Sequence, residues 1–371
     1  MAQTAGPLEL SIVIPAYNER GNIVELVRRL SESLEDIEWE LVIVDDDSPD
    51  STAALIRDIA VADRRIRCLQ RIGRRGLSSA CIEGMLNTAA PIIAVMDADL
   101  QHDETRLPTM LAAMRTEDAD IAIATRYGVG GSTGAWDMSR LRMSRLATRL
   151  SRLICKQDIS DPMSGFFMLR REVAEETVRG LSGLGFKVLL DILATSPRTL
   201  RVVDVPYTFR DRFSGDSKLD SLVIWDFGML LIDKLVGRYV PARLIAFAII
   251  GGTGVIVHMS VLFGLIWTVG AKFEVAQSSA TLVAMTSNYL LNNLLTFRDI
   301  RRRGWSLVTG WFSFVLTCSI GAVANVGIAG YLYGNKTSVF MSAIAGIAVG
   351  LVWNYVVSAT YTWRRQFSRR V

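Results

Sequence analysis

Apolar runs of strand length alternate with segments of helical spacing through the first part of the chain. The apolar runs lie at residues 10–15, 40–47, 66–71, 91–97 and 119–126. Between them, apolar residues recur every three or four positions at residues 22–34, 51–62, 78–89 and 105–115, which is typical of helices with one buried face. This alternation predicts an α/β fold with a mostly parallel sheet and helices on both of its faces.

The pattern changes to long, nearly uncharged stretches in the last third of the chain. They lie at residues 243–269, 275–297, 305–333 and 337–363. Each can span a hydrocarbon core, which requires about 20 residues, so we predict four transmembrane helices in two hairpins. The predicted domains are a catalytic domain at 1–218, an interfacial juxtamembrane helix at 219–241 and an all-α transmembrane domain at 242–371.

The distribution of charge supports this division. Half of the 371 residues are hydrophobic, but between Leu244 and Phe297 the only charged residues are Lys272 and Glu274. Two clusters of arginine follow the second and fourth apolar stretches, at Arg298, Arg301, Arg302 and Arg303 and at Arg364, Arg365, Arg369 and Arg370. Because basic loops stay in the cytoplasm, we expect the catalytic domain and the C-terminus on that side. The N-terminal residues show no signal-peptide pattern, so we expect no cleavable leader.

Polar clusters follow three of the predicted strands, namely PAYNE (15–19), DDDSPD (45–50) and DADLQ (97–101). In open α/β sheets, ligands bind beyond the carboxyl ends of the strands. Asp97, Asp99 and Gln101 alternate, and in an extended chain they would face the same way. Carboxylate and amide oxygens suit Mg²⁺ or Mn²⁺, although a solvated strand end is the alternative. No GxGxxG follows the first strand, which argues against a dinucleotide-binding dehydrogenase.

Few other residues could carry catalysis or bind a metal. The chain has two histidines, His102 and His258, and four cysteines without a CxxC pair. A zinc site is therefore not indicated, and acid–base or metal chemistry must rest mainly on carboxylates.

A basic amphipathic helix is predicted at residues 138–156. Its cationic stripe consists of Arg142, Arg145, Arg149, Arg152 and Lys156, and its apolar stripe of Met143, Leu146, Leu150 and Leu153. Such a helix can lie on an anionic membrane surface. The alternative is a core-packed helix with a solvated basic face.

Seven segments occur in an order that resembles a known family. They are PAYNE, VIVDDDSPDST, GLSSACIEG, MDADLQHDE, DPMSGFFMLRREV, GFKVLLDIL and VPYTFRDRFSGDSKL, within residues 9–219. Together they resemble the family-2 glycosyltransferases of GT-A fold, and among them the dolichyl (polyprenyl) phosphate mannose synthases. The segment DPMSGFFMLRR favours mannose over glucose. The last domain resembles the small four-helix membrane domain fused to some of these synthases.

The resemblance implies roles for individual residues. Nucleotide binding is implied for Pro15, Tyr17, Glu19, Val44, Asp46, Asp97 and Lys218, and metal binding for Asp97, Asp99 and Gln101. Binding of the acceptor phosphate is implied for Arg126, Arg140 and Ser144, and catalysis for Asp99, Arg126 and Arg212. Arg212, Ser217 and Lys218 would belong to a loop that closes over the site.

The implied activity is transfer of mannose from GDP-mannose to a dolichyl or polyprenyl phosphate, with inversion at C1, at the cytoplasmic membrane face. The implied cofactor is Mg²⁺ or Mn²⁺, and no nucleic-acid partner is expected. The nearest alternative is an enzyme that uses UDP-glucose or another nucleotide sugar. A processive polysaccharide synthase is disfavoured because the chain lacks a QxxRW segment. A non-catalytic transporter is disfavoured by the intact DADLQ cluster.

The predicted transmembrane domain contains an internal repeat. NYLLNNLLTFR (288–298) resembles NYVVSATYTWR (354–364), and GVIVH (254–258) and GAVAN (321–325) precede them at nearly equal distance. A duplicated helical hairpin explains this pattern. We expect the asparagines of these stretches to hydrogen-bond across helices, with a role in lipid passage as the alternative; they are Asn288, Asn292, Asn293, Asn325 and Asn354.

Overall fold

The computed structural model describes residues 6–127, 131–132, 138–155, 157–183, 185–210, 221–237 and 239–363. The chain divides into two compact units, Met1–Leu235 and Val236–Val371. The first unit is a layered α/β structure and the second is helical.

A seven-stranded sheet forms the centre of the first unit. Its strands are β1 (Leu10–Ala16), β2 (Trp39–Asp45), β3 (Ile66–Gln70), β4 (Ile92–Val95), β5 (Ile121–Thr125), β6 (Phe167–Arg170) and β7 (Val202–Pro206). Their order in the sheet is β3-β2-β1-β4-β6-β5-β7. All neighbouring pairs are parallel except the two that involve β6. The predicted mostly parallel sheet and its first five strands are confirmed. The antiparallel strand β6 was not predicted, because nothing in the DPMSGFFMLRR segment sets its four residues apart from their neighbours.

Helices cover both faces of this sheet. The described α-helices of this unit are α1 (Arg20–Ser33), α2 (Thr52–Ala62), α3 (Leu77–Leu86), α4 (Leu107–Thr116), α5 (Met138–Ser151), α6 (Arg171–Thr177), α7 (Val188–Thr195) and α8 (Ser221–Val236). One buried cluster packs α1, α2 and α4 against the sheet, and a second packs α3, α6 and α7 against the other face. Because the central strands are buried on both faces, they appear in the sequence as continuous apolar runs rather than alternating ones.

An ion pair attaches α8 to α7 within the first unit. Lys234 Nζ lies 2.6 Å from Asp191 Oδ1 and also donates to Thr195 Oγ1 at 2.7 Å. Asp191 in turn accepts hydrogen bonds from Ser182, at 2.8 Å from the backbone and 2.7 Å from the hydroxyl. The predicted helix at 219–241 is therefore present as α8 and anchored at its C-terminal end, while its interfacial location stays a prediction.

Four long helices make up most of the second unit: α9 (Ala242–Val269), α10 (Phe273–Leu291), α11 (Trp305–Gly334) and α12 (Val339–Val357). Within the described part of the chain, three segments are long and apolar enough to cross a membrane, namely α9, α11 and Val339–Thr362. The helix α10 falls outside this set, since polar residues such as Glu274, Gln277 and Ser278 occupy its first turns. A fourth span thus stays a prediction.

The sequence repeat corresponds to a structural repeat. Both α10 and α12 continue into a π-helical turn, Asn292–Thr296 and Ser358–Thr362. The next residues, Phe297 and Trp363, have nearly the same backbone angles, with φ −112° for both and ψ 32° and 33°. Their rings stack on each other at 4.3 Å between centroids.

Two further aromatic contacts in the second unit are reciprocal. Tyr289 stacks on Trp363 at 5.5 Å, and the equivalent Tyr355 stacks on Phe297 at 6.5 Å. These rings join the ends of the two hairpins in one buried cluster.

The repeat also places glycine opposite asparagine in each hairpin. A Cβ atom at Gly254 would collide with Asn288, and one at Gly321 would collide with Asn354. Small residues at such points allow two helix backbones to approach closely.

The asparagines differ in their hydrogen bonds. Asn293 Oδ1 accepts from Trp363 Nε1 at 3.0 Å and so links the two hairpins, as expected. Asn292 instead donates within its own helix to Asn288 O at 2.9 Å. Within the described residues, the buried Oδ1 atoms of Asn288 and Asn354 accept no hydrogen bond. The expectation of cross-helix bonding is therefore met by Asn293, whereas the amide oxygens of Asn288 and Asn354 are enclosed by packing.

We predict that Gly84→Ala destabilises the first unit by about 1–3 kcal/mol, as overpacked cores do. The added methyl group would collide with Val13 and lie 3.0 Å from Val44 Cγ2, where α3 packs on β1 and β2. The free energy of unfolding would be compared through thermal unfolding in detergent, followed by tryptophan fluorescence.

The matched control is Gly21→Ala in α1, where an added Cβ meets nothing within 4 Å. This variant should unfold no earlier than the parent chain. Equal unfolding temperatures for the two variants would contradict the packing described for α3.

Candidate active site

Three polar loops meet at one edge of the sheet because β2, β1 and β4 are parallel neighbours. The loops PAYNE, DDDSPD and DADLQ follow these strands in the chain. Pro15, at the end of β1, pairs with Val44 of β2, and Val44 is fully buried beneath the loops. A hydrogen bond of 3.0 Å from the Asn18 backbone N–H to Ser48 Oγ connects the first two loops.

The carboxyl group of Asp46 is buried at this edge. Its Oδ2 accepts from the Gly76 backbone N–H at 2.7 Å, and its Oδ1 lies 2.9 Å from Arg71 Nη1. This second contact is a charge contact without hydrogen-bond geometry, since Oδ1 accepts no hydrogen bond from the described residues. Burial raises the pKa of Asp46, opposed by the Gly76 N–H and the Arg71 charge. Asp46 is therefore held in place by a backbone donor and by the buried Arg71 guanidinium.

Two other residues of the predicted nucleotide site also have defined partners. The guanidinium of Arg75 lies 4.3 Å above the Tyr17 ring, a cation–π contact. Glu19 Oε2 accepts from Asn22 Nδ2 at 2.7 Å. The sequence reasoning missed Arg71 and Arg75, which lie just ahead of the GLSSACIEG segment.

The segment DADLQ is bent rather than extended. Strand β4 ends at Val95, and Leu100 has a left-handed backbone with φ 61°. The Gln101 backbone N–H donates back to Asp99 Oδ1 at 3.2 Å. Asp97, Asp99 and Gln101 therefore do not alternate along an extended strand, because β4 ends two residues before Asp97. A bend sets the directions of Asp97, Asp99 and Gln101 instead.

The donor atoms of this bend suit a hard divalent cation. The described residues contain no group of three or more His, Cys, Asp or Glu side chains that could hold a metal. Asp97, Asp99 and the Gln101 amide are the residues of this bend that could supply oxygen ligands. Mg²⁺ commonly binds to one or two carboxylates and completes its shell with water and substrate phosphates. The Asp97 side chain is 38% exposed and is accessible to such a ligand.

Beside the acidic bend lies a cluster of buried aromatic residues that the sequence reasoning did not predict. His102 contacts both Asp97 and the Tyr207 hydroxyl. Burial raises the pKa of Tyr207, and the charges of Arg126, Asp161, Asp97 and Asp99 also act on it. Tyr207 thus lies within electrostatic range of the charged groups of the site. The sequence contains one indication of this cluster, because His102 directly follows the DADLQ segment.

Arg126 follows β5 and is held by a buried partner. Its Nε and Nη2 donate to Asp161 Oδ2 and Oδ1 at 2.7 and 2.8 Å, and Asp161 is fully buried. Burial alone would lower the pKa of Arg126, but the hydrogen bonds and the charge of Asp161 outweigh burial and raise it. The guanidinium is therefore a fixed positive charge. Asp161 is the first residue of the DPMSGFF segment. From the sequence, this segment served only to favour mannose over glucose.

The remaining predicted residues are placed only in part. Ser144 in α5 lies 2.7 Å from the Tyr127 hydroxyl, next to Arg126. Arg140 lies in α5, but its side chain is outside the described residues. Arg212, Ser217 and Lys218 also lie outside them.

Arg210 is a further residue that the sequence reasoning missed. Its guanidinium donates to Glu104 Oε2 at 2.8 Å and to Asp103 Oδ1 at 2.7 Å. Its backbone N–H donates to Gln101 O at 2.9 Å, and its carbonyl accepts from Gln101 Nε2 at 3.1 Å. Arg210 therefore ties its own stretch of chain to Gln101, one of the predicted metal ligands.

Comparison with known proteins finds relatives for both units. The model of glycosyl transferase family 2 matches residues 11–178, and that of the GtrA/DPMS transmembrane domain matches residues 246–363. A dolichol-phosphate mannosyltransferase from Pyrococcus furiosus is 33% identical over 358 residues, covering 96% of this chain and 99% of that protein. Proteins of the same name from Saccharomyces cerevisiae and Mycosarcoma maydis are 34% and 32% identical, and cover 65% and 64% of this chain and 92% and 82% of their own.

We predict that Asp161→Ala destabilises the first unit by about 3–5 kcal/mol, because it leaves Arg126 buried without its carboxylate. The combined variant Arg126→Met with Asp161→Leu should lose clearly less, since it buries no unpaired charge. Thermal unfolding in detergent would measure both. An Asp161→Ala variant that unfolds at the parental temperature would contradict the ion pair described here.

Proposed function

This chain belongs to the dolichol-phosphate mannosyltransferases of glycosyl transferase family 2, and on that premise we propose that it transfers mannose from GDP-mannose to a dolichyl or polyprenyl phosphate. The observation that carries the proposal is the relationship to an enzyme of that name over nearly the whole chain, across both units. The convergence of three polar loops at the sheet edge supports it.

We assign the nucleoside of the donor to the loops after β1 and β2. Pro15, Tyr17, Glu19, Val44 and Asp46 would line its pocket. The buried Asp46 carboxyl supports this assignment, because the Gly76 N–H and the Arg71 guanidinium hold it in place at the ends of these strands. Lys218, in the loop that follows the Arg210 anchor, would approach the nucleotide as that loop closes.

The diphosphate of the donor would lie at the acidic bend. Asp97, Asp99 and Gln101 would hold Mg²⁺ or Mn²⁺, whose charge stabilises the leaving diphosphate as the bond to sugar C1 breaks. Arg212, in the closing loop, would add a second positive charge. Stabilising charge that develops in the transition state is commonly the largest catalytic effect of a site.

We assign the acceptor phosphate to Arg126, Arg140 and Ser144. The Asp161 pair supports this role, because it keeps the Arg126 guanidinium fixed in direction and charged. A phosphate monoester is already anionic at neutral pH, with a second pKa of about 6, and needs no strong general base to attack. Attack on C1 from the face opposite the diphosphate would invert that carbon and give a β-linked product without a covalent enzyme intermediate.

Two neighbouring helices would hold the site at the membrane surface. Arg142, Arg145 and Arg149 are exposed on α5, and so is Leu146, at 56%. The helix α8 leaves Ile224 and Leu235 exposed. A shared cluster that includes Ala147 and Leu230 packs α5 and α8 together. Cationic and apolar side chains exposed on adjacent helices suit an anionic bilayer surface, where each cation contributes about 1 kcal/mol.

For the membrane domain we propose four spans, with α10 as the second. An even number of spans places the basic segment 298–303 and the C-terminus on the cytoplasmic side with the catalytic domain. We propose that the catalytic domain spans residues 1–218, the interfacial helix 219–241 and the membrane domain 242–371.

We predict that membranes containing the chain transfer label from GDP-mannose, and not from UDP-glucose, to a polyprenyl phosphate, and that EDTA stops the transfer. Asp99→Ala should lower the rate at least about 100-fold, because loss of a metal ligand removes several kcal/mol of transition-state stabilisation. Label in the organic phase would be counted.

The control is Asp58→Ala, on the exposed surface of α2, which should retain full activity. Transfer from UDP-glucose alone would replace the donor but keep the site. Undiminished transfer by Asp99→Ala would overturn the metal assignment.

We predict that cysteines at Lys272 and Lys336 react with an impermeant maleimide in intact cells, while one at Arg303 reacts only after permeabilisation. All three residues are exposed, and each would be introduced alone into a chain without its four native cysteines. If α10 does not span, residue 303 would react from outside and residue 336 would not, which distinguishes three spans from four.

A further inference from the structure

His102 is a buried polar side chain of the first unit, with 3% of its surface exposed. The rings of Phe166, Tyr207 and Phe209 surround it, with centroids at 5.3, 5.9 and 5.7 Å. Its Nδ1 lies 3.0 Å from the Tyr207 hydroxyl and its Nε2 lies 3.3 Å from Asp97 Oδ2. The imidazole is therefore held on three sides by rings and directed at one carboxylate oxygen.

The partners of His102 determine which ring nitrogen carries hydrogen. An ionised carboxylate only accepts hydrogen bonds, so Nε2 must donate to Asp97 Oδ2. In the neutral ring Nδ1 is then an acceptor, and the donor to it is the Tyr207 hydroxyl. That hydroxyl carries a proton at neutral pH, since a tyrosine has an ordinary pKa of about 10. The result is a directed chain of hydrogen bonds from Tyr207 through His102 to Asp97.

Gly165 encloses the same carboxylate oxygen from another element of the fold. A Cβ atom at this position would lie 2.9 Å from Asp97 Oδ2 and 3.5 Å from His102 Nε2. The absence of a side chain here leaves just enough room for the contact between the two residues. Phe166, the next residue, packs on the His102 ring.

We propose that His102 is a positioning residue of the metal site, which together with Tyr207 and Gly165 holds Asp97 Oδ2 and so directs Oδ1 at the cation. This inference rests on the proposed function, in which Asp97 is a metal ligand. Hydrogen bonds from outside the coordination shell orient metal ligands in this way, and their loss commonly weakens metal affinity about 10- to 100-fold.

The decisive test compares two substitutions that differ in which nitrogen they replace. In His102→Gln the amide nitrogen takes the place of Nε2 and can still donate to Asp97. In His102→Asn it takes the place of Nδ1 and reaches only towards Tyr207. Both variants lose the ring and its packing, so a purely structural role would affect them alike.

The readout is binding of Mn²⁺ alone to the full-length chain in detergent, measured by the loss of the free-ion signal in electron paramagnetic resonance. We expect the Kd for Mn²⁺ to rise about 10- to 100-fold in His102→Asn and to stay within about threefold of the parent chain in His102→Gln. His258→Ala, at the other histidine of the sequence, should bind as the parent does.

A second pair of variants tests the same contact from the opposite side. Gly165→Ala should weaken Mn²⁺ binding by displacing Asp97, whereas Gly228→Ala, where an added Cβ meets nothing within 4 Å, should not. This pair leaves the His102 side chain unchanged, so it remains informative if both His102 variants fold poorly.

The outcomes separate the inference from the proposed function. If Asp99→Ala abolishes Mn²⁺ binding while His102→Asn and Gly165→Ala bind like the parent, the positioning role is wrong and the metal site stands. If Asp99→Ala binds Mn²⁺ as tightly as the parent chain does, the metal site itself is wrong and the role of His102 falls with it.

Discussion

Strand β6 pairs with both β4 and β5 and runs antiparallel to each, so that its first residue, Phe167, lies opposite Val95 and Ile123. This reversal brings the start of β6 to the edge where its neighbours end. The segment that precedes β6 therefore lies beside the residues that follow β4 and β5. Asp161 can reach Arg126 and Gly165 can reach Asp97 only because one strand runs against the others.

Around this edge, positive and negative side chains are paired before any substrate arrives. Asp161 holds Arg126, Asp46 faces Arg71, and Asp103 with Glu104 holds Arg210. Buried charges without partners would cost several kcal/mol each. Paired charges, by contrast, present a fixed array of dipoles and charges that needs little reorganisation during reaction. Of these pairs, the one between Asp161 and Arg126 fixes the direction of a group that we assign to phosphate binding.

The sequence was sufficient for the parts of the fold that depend on local pattern. Continuous apolar runs identified β1 to β5, and the polar residues after β1, β2 and β4 identified the edge where the loops meet. Contacts between distant residues left no such pattern. Arg126 and Asp161 are 35 positions apart, and His102 and Tyr207 are 105 apart. The bend after Val95 depends on where β4 stops pairing with β6, which the periodicity of residues 91–97 does not reveal. The roles implied for Arg140, Arg212 and Lys218 stay predictions.

The aromatic contacts in the second unit relate its two halves to each other. Phe297 touches its own equivalent, Trp363, and each also stacks on the tyrosine that belongs to the other repeat. Reciprocal contacts of this kind are what a two-fold axis produces between identical subunits. The unit thus has the geometry of a homodimer of hairpins joined into one chain. The halves differ in one hydrogen bond: Trp363 has an indole N–H where Phe297 has none, and the amide that accepts it, Asn293, is matched by Ala359 in the other half.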